Sequence, residues 1–211
     1  MIGSGLTGTA ADLASLRALA EEGRNRPLLG GRHFIVWGCA IAAASLTHMA
    51  IATGVLGWPL FSLAIVWAVF TGGAAAITSL VLKVDKPQNT IGSRVEHEVW
   101  KAGGAVLGTT ALAILVFAYL QLARSGSPDA FRLFALMPPI TFGVYAIALA
   151  ASAAAAGAAY LKPFAALSVV FLVLTALLAN SAWQFAAMAL GAVAVSVVPG
   201  VLLLRHERRD G

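Results

Sequence analysis

The distribution of charged residues along the chain constrains its fold more than any other feature. Asp, Glu, Lys and Arg occur in clusters, and the long stretches without them are residues 34–82, 102–123, 133–161 and 163–204. These stretches contain 49, 22, 29 and 42 residues, respectively. A helix needs about 20 residues to cross a hydrocarbon layer about 30 Å thick, because it rises about 1.5 Å per residue. The two shorter stretches therefore hold one span each, and the two longer stretches hold two each.

Composition supports this interpretation and excludes other classes of protein. Hydrophobic residues make up 60% of the chain and charged residues only 11%, whereas a soluble domain has about 25% charged residues. The apolar content excludes a disordered chain, and the single cysteine, Cys39, excludes a disulfide scaffold. The sequence therefore predicts an all-α integral membrane protein.

Turn-forming residues divide the two longer stretches. Glycine and proline interrupt the first of them at residues 54–59, and Asn180 and Ser181 provide a turn in the last. We therefore expect a six-transmembrane-helix bundle over residues 34–204, between an N-terminal tail (1–33) and a C-terminal tail (205–211). The predicted spans are approximately 34–53, 59–82, 99–122, 133–156, 163–179 and 182–204.

The fourth span contains a pair of prolines, Pro138 and Pro139. Proline lacks a backbone N–H and disturbs a helix interior. Two interpretations remain open. Either one kinked span runs through the pair, or residues 127–137 form a short interfacial helix and the span begins at Pro139.

Lys and Arg lie mainly on one side of such a bundle. Twelve of the 14 basic residues fall in the two tails and in the connections between spans 2 and 3 and between spans 4 and 5. Only Arg124 and Arg132 fall on the other side. Because positively charged loops stay in the cytoplasm, we expect a bacterial inner-membrane protein with both termini cytoplasmic. Its basic residues would then meet anionic lipid headgroups rather than nucleic acid.

The N-terminal tail contains a short amphipathic pattern. Leu13, Leu16 and Leu19 share one face of a cytoplasmic helix that begins near Asp12. Two interpretations remain open for this helix. It either rests on the bilayer or on its own bundle, or it docks a cytoplasmic protein partner through this face and Arg17.

Apart from the thiol of Cys39, one histidine is the ionisable side chain that we expect inside a span. His48 lies in span 1, one turn after Ser45. Either neutral His48 bonds Ser45 or a neighbouring helix, or the pair lines a ligand site or pore. His33, His97 and His206 lie at one depth near the cytoplasmic edge, on spans 1, 3 and 6, and are weak candidates that could converge on a metal ion or an anionic headgroup. Because side chains on three different spans need not converge, we expect no bound metal ion and no other cofactor.

Lys101 lies at the start of predicted span 3, and we expect no Asp, Glu, Lys or Arg to be buried in any span. At the start of span 3, Glu96 and Glu98 point about 200° apart on a helix, so we expect this segment to be a solvated face. Proton-coupled pumps and intramembrane hydrolases need buried ionisable groups, metal ligands or motifs such as H-E-x-x-H and G-x-S-x-G. Those motifs are missing from the sequence, which therefore favours a non-enzymatic protein.

Small residues recur at four-residue spacing in two spans. Gly104 and Gly108 lie in span 3, and Ala40 and Ala44 lie in span 1. Such spacing lets helix backbones approach closely. These seams either hold the six helices of one chain together or form a face for another subunit.

The size, six spans and cytoplasmic termini resemble the substrate-binding S-components of energy-coupling-factor vitamin transporters. Those proteins use an A-x-x-x-A seam in their first span, which Ala40 and Ala44 match. The tail of residues 1–33 departs from their pattern. The resemblance implies a small-molecule binding or transport component, with a pocket between helices near His48.

Two functions are therefore expected. The first is a small non-enzymatic bundle that acts by association with a cytoplasmic protein partner or with other subunits, including copies of itself. The alternative is the small-molecule binding or transport component. In both cases the lipid bilayer surrounds the six spans.

Overall fold

A computed structural model describes residues 30–59, 61–81 and 91–210 of the chain. These residues are helical, without a strand among them. Six helical segments are long and apolar enough to cross a membrane, which confirms the predicted number. The helices are α1 (Gly31–Ala52), α2 (Ser62–Ala76), α3 (Ile91–Ser125), α4 (Met137–Ala155), α5 (Lys162–Leu177), α6 (Trp183–Ala192) and α7 (Val198–Asp210).

Short helical segments of other types connect these helices. A π-helical turn, Ile77–Val81, extends α2, and a second, Val193–Val197, joins α6 to α7 in one continuous sixth span. A 3-10 segment, Asp129–Leu136, precedes α4, and another, Ala159–Leu161, precedes α5. The third span begins at Ile91, earlier than expected, because the helix continues through the polar segment that precedes its apolar stretch.

Residues with a left-handed backbone form the turns between spans. Gly54 and Gly57 follow α1 with φ of 78° and 62°, a conformation that glycine adopts without a steric penalty. Asn180 has φ of 63° between α5 and α6. The turns thus form where the sequence places its glycine and asparagine.

The proline pair marks a change of helix type. The 3-10 segment ends at Leu136, and α4 begins at Met137 with prolines in its first turn, where a missing N–H removes no helical hydrogen bond. The two helical segments are contiguous and together form one stretch, Asp129–Ala155, that is long and apolar enough to cross a membrane. The choice between a kinked span and a separate interfacial helix stays a prediction.

The six spans pack as an inner group and two outer helices. α1 packs along the whole sixth span, while α4 packs on α5 and α5 on α6. α2 packs on α1, and α3 packs on α4. In the most apolar stretch of each span, 56% of the residues are buried in the sixth span, but only 17% in the second and 11% in the third. The second and third spans are therefore the outer helices.

The core lies between α1, α4, α5 and the sixth span. Its largest buried side chains include Phe34, Ile41, Phe142, Leu149, Phe171 and Met188. We call the end of the bundle at which α1 begins and α7 ends the terminal end. The ring of Phe34 contacts that of Trp100, with centroids 5.2 Å apart, so α3 also begins at the terminal end.

Candidate functional site

The closest helix contact of the bundle lies between α1 and the sixth span. A Cβ atom added at Gly38 would lie 2.7 Å from Cγ2 of Val197, and one at Gly200 would lie 2.8 Å from the carbonyl oxygen of Gly31. The hydroxyl of Ser196 donates a 2.7 Å hydrogen bond to the carbonyl oxygen of Phe34 across the same contact. Glycine is therefore required here because the two backbones approach closely.

The sequence signal for this contact is a spacing of seven residues rather than four. Gly31, Gly38 and Ser45 recur at this interval and are buried along α1. A seven-residue repeat keeps one face of a helix against its neighbour. A search for four-residue spacing therefore missed the seam.

A π-helical turn adapts the sixth span to this contact. Pro199 follows the turn and is fully buried. Proline gives no N–H to the helix, and its ring crowds the carbonyl four residues earlier. The wider turn at Val193–Val197 accommodates that carbonyl and carries Ser196, the residue that bonds α1.

His48 connects three helices near the opposite end. Its Nδ1 accepts a 3.0 Å hydrogen bond from Nε1 of Trp67 on α2. Its ring stacks on Phe185 of α6, with centroids 3.5 Å apart and planes 18° apart. Because the indole N–H only donates, Nδ1 is the unprotonated nitrogen of this histidine.

Ser45, the other candidate in span 1, does not bond His48. Its hydroxyl is fully buried and donates a 2.7 Å hydrogen bond to the carbonyl oxygen of Ile41 in its own helix. The partner of His48 is therefore on a neighbouring helix, which was one of the two structural alternatives considered for it.

Of the two alanines predicted to form a seam in span 1, Ala44 faces α2. Ala44 is fully buried and clusters with Ile51 and Val66, and Trp67 packs against this cluster. Ala40, one turn earlier, is half-buried. The small side chain of Ala44 lets α2 approach α1 at the level of His48.

The expectation that Gly104 and Gly108 pack inside the bundle is wrong. Both are exposed, and a Cβ atom at either would meet no atom within 4 Å. The glycine of α3 that contacts a neighbour is Gly103, whose added Cβ would lie 2.6 Å from Cγ1 of Val144. One helical residue corresponds to a rotation of about 100°, which turns the predicted pair away from α4. Their other interpretation, a face for another subunit, stays a prediction.

The outer face of α2 has the same property. Gly72 and Gly73 are exposed, and a Cβ atom at either would also meet nothing within 4 Å. Ala64, Ala68 and Ala76 are likewise exposed on this helix. We call the exposed small residues of α2 and α3 the outer glycine faces; their glycines are Gly72, Gly73, Gly104 and Gly108.

The start of span 3, predicted to be a solvated face, has one buried member. Glu96 is only 3% exposed. Its carboxyl group lies beside the hydroxyl of Ser152 on α4, and that hydroxyl accepts a 3.2 Å hydrogen bond from Nε1 of Trp100. His97 and Glu98 are exposed. The burial of Glu96 was not predicted, because the whole charged segment before span 3 was expected to lie outside the bundle.

A second polar link lies next to Glu96. The hydroxyl of Tyr145 on α4 lies beside Ser196 of the sixth span, and its ring contacts Trp100 edge to face, with centroids 5.2 Å apart. Ser196 in turn bonds α1, as described above. The terminal end therefore contains a contiguous polar cluster, which consists of Glu96, Trp100, Tyr145, Ser152 and Ser196.

Gln184 is a buried polar residue that the sequence interpretation did not single out. It is fully buried, and its Nε2 donates to the carbonyl oxygens of Ala135 (2.6 Å) and Thr175 (2.9 Å). The Ala135 carbonyl would otherwise face Pro138 and Pro139, which have no N–H to give. A lone glutamine in a charge-free stretch and a distant proline pair were the available signals.

The interior is closely packed between α1, α4 and the sixth span. A cavity of about 10 Å³ lies among Ile41, Tyr145 and Met188, with four further residues around it. A space of this size holds about one water molecule. The side chains of this region therefore fill it by contact with one another.

The remaining candidates lie at the terminal end or in the tail. His33 is half-buried and His97 is exposed, while the side chain of His206 lies outside the described part. Among the described side chains, no three His, Cys, Asp or Glu residues form a group that could hold a metal ion. Four tail candidates lie outside the described residues; they are Leu13, Leu16, Leu19 and Arg17.

Comparison with known proteins gives no family for this arrangement. No protein-family model, curated protein or solved structure matches the chain. The contacts described above are therefore the basis for its interpretation.

Proposed function

We propose that this chain is a non-enzymatic multi-pass protein of the bacterial inner membrane that acts by lateral association through its outer glycine faces. The observation that carries the proposal is the position of the four open glycines, which lie on the two least buried spans. The proposed occupant of these faces is a second copy of the chain.

The cost of glycine in a helix supports this proposal. Glycine in a helix interior is less favourable than alanine by about 1 kcal/mol. On a face that meets only lipid tails, a missing side chain gives no packing in return. Between two transmembrane helices it allows close backbone approach, which favours their association. The outer glycine faces therefore have the chemistry of a helix contact.

A second copy is the simplest occupant. Most oligomers of one chain are symmetric, and a twofold contact needs only one self-complementary surface. Each outer glycine face consists of small residues and can therefore lie against its own copy without steric conflict. The packed interior and the engaged ring of His48 agree with a surface function. The small-molecule alternative near His48 stays a prediction.

Cysteine cross-linking in native membranes tests the proposed association. In a Cys39→Ser background, single cysteines replace Ala68 on α2, Ala105 on α3 and, as a control, Val170 on α5, all of which are exposed. We expect a dimer-sized product under oxidising conditions from the α2 or α3 position and none from the α5 control. Equal yields at all three positions would contradict a specific face.

The proposed orientation places both tails in the cytoplasm, in agreement with the distribution of Lys and Arg. We propose that residues 1–23 bind a cytoplasmic protein partner in addition to the lateral contact. Deletion of this segment should leave the bundle folded, with an unchanged melting temperature in detergent, and should remove a protein that co-purifies with the full chain. A full complement of co-purifying proteins after the deletion would contradict this role.

A further inference from the structure

The buried carboxyl group at the terminal end has an incomplete set of hydrogen bonds. Glu96 is 3% exposed, and one of its oxygens, Oε2, has no hydrogen-bond partner. The Ser152 hydroxyl, which accepts the Trp100 N–H, is the polar side chain beside the carboxyl group. An ionised carboxylate has about four acceptor positions, so this surrounding satisfies only a small part of them.

The elements around Glu96 provide no described cation for an ion pair. The one titratable residue of α4 is Tyr145, which lies beside Ser196. On the adjoining part of α1, Arg32 is exposed and His33 is half-buried. The charged or titratable neighbours on α3 itself are all exposed; they are Arg94, His97, Glu98 and Lys101. Beyond α4, Tyr160 is half-buried and Lys162 is exposed.

We propose that Glu96 is a reversible proton-binding site in the contact between α3 and α4. The carboxylate takes one proton from water at the terminal end to form the neutral acid, and it returns the proton to that water. In the neutral form, Oε2 carries the proton while the carboxyl group stays beside the Ser152 hydroxyl. A proton suits the site because it needs no further ligands, whereas a metal cation requires several oxygen ligands.

The energetics of burial support this occupant. An ionised group transferred out of water without partners costs far more free energy than a neutral one. A charge on Glu96 would therefore weaken the contact between α3 and α4, and a proton would restore it. The polar cluster makes the event observable, because the Trp100 indole is linked to the carboxyl group through one hydroxyl. This inference does not depend on the proposed association.

Infrared difference spectroscopy of the full chain in lipid vesicles, recorded between acidic and alkaline buffers, tests the site. We expect the band of a protonated carboxyl group in apolar surroundings, lost as the buffer becomes alkaline. Glu96→Gln should abolish this band. Glu98→Gln, at a side chain that is 68% exposed, is the matched control and should retain it.

A second variant keeps the test decisive if Glu96→Gln fails to fold. Ser152→Ala removes the hydroxyl that lies beside the carboxyl group and should shift the frequency of the same band, since that band reports the polar surroundings of the carbonyl. A band that persists in Glu96→Gln would overturn the proposal. A wild-type protein without the band, or a Ser152→Ala spectrum identical to that of the wild type, would also overturn it.

Discussion

The glycines between α1 and the sixth span and those on the outer faces of α2 and α3 have different environments. Between α1 and the sixth span, a Cβ atom at Gly38 or Gly200 would lie within 3 Å of atoms of the facing helix. On the outer helices, a Cβ atom at Gly72 or Gly104 would meet nothing within 4 Å. The same residue type therefore makes an internal contact possible in one region and leaves a helix face open in the other.

The difference shows that residue type alone does not define a packing seam. Helix phase decides it, because Gly103 contacts α4 and Gly104, one position later, does not. Substitutions in the two regions should therefore change different properties of the protein. Inner substitutions should lower the stability of one chain, and outer substitutions should affect the contact between chains.

The largest effect on stability is expected at the inner contact. Gly38→Leu inserts a side chain where even a Cβ atom would lie 2.7 Å from Val197, so it should lower the free energy of unfolding by about 3 kcal/mol through overpacking. Thermal unfolding in detergent measures this. Gly104→Leu is the matched control on an outer helix, and equal melting temperatures for the two variants would contradict the comparison.

A somewhat smaller effect is expected at the buried glutamine. Gln184→Leu leaves the carbonyl oxygens of Ala135 and Thr175 without their donor and should destabilise the chain by about 2 kcal/mol. Gln121→Leu, at a half-buried position near the same end of the bundle, should change stability little. If the two variants unfold alike in detergent, Gln184 does not hold the start of α4 in place.

A still smaller loss of stability is expected where the outer helix α2 contacts His48 of α1. Trp67→Phe keeps an aromatic ring on α2 but removes the 3.0 Å hydrogen bond to Nδ1 of His48, so we expect a loss of about 1 kcal/mol. His48→Ala also removes the stacking on Phe185 and should cost about 1–2 kcal/mol. Chemical unfolding with a matched Trp58→Phe control, at an exposed tryptophan, measures both. A loss in Trp58→Phe as large as that in Trp67→Phe would rule out the hydrogen bond as the cause.

The sequence was sufficient for the number of spans but not for their contacts. Charge-free stretches of defined length predict six helices because the thickness of the bilayer sets their length. Helix phase and burial depend on which neighbour a face meets, and that information is long-range. Glu96 shows this limit, since it lies in a charged cluster but turns its side chain toward Ser152.

Only part of the candidate site was predictable, again because contacts between helices are long-range. His48 was identified because an ionisable residue inside a span is rare. Its partners, Trp67 and Phe185, lie on other helices and carry no sequence mark that relates them to it. Gln184 and Ala135 are likewise joined only by the fold, since their relation depends on carbonyls that Pro138 and Pro139 leave without donors.

Substitutions on α3 are expected to change stability least. They also test most directly the central claim, which is association through the outer glycine faces. The measurement is energy transfer in lipid vesicles between copies labelled at Cys39, the single cysteine, which is exposed. We predict transfer above that of random mixing for the wild type and for Val106→Leu, a control at a residue that is 50% exposed. The Gly104→Leu/Gly108→Leu variant should lose this transfer while its melting temperature stays unchanged. Equal transfer in all three proteins would contradict association through the outer glycine face of α3.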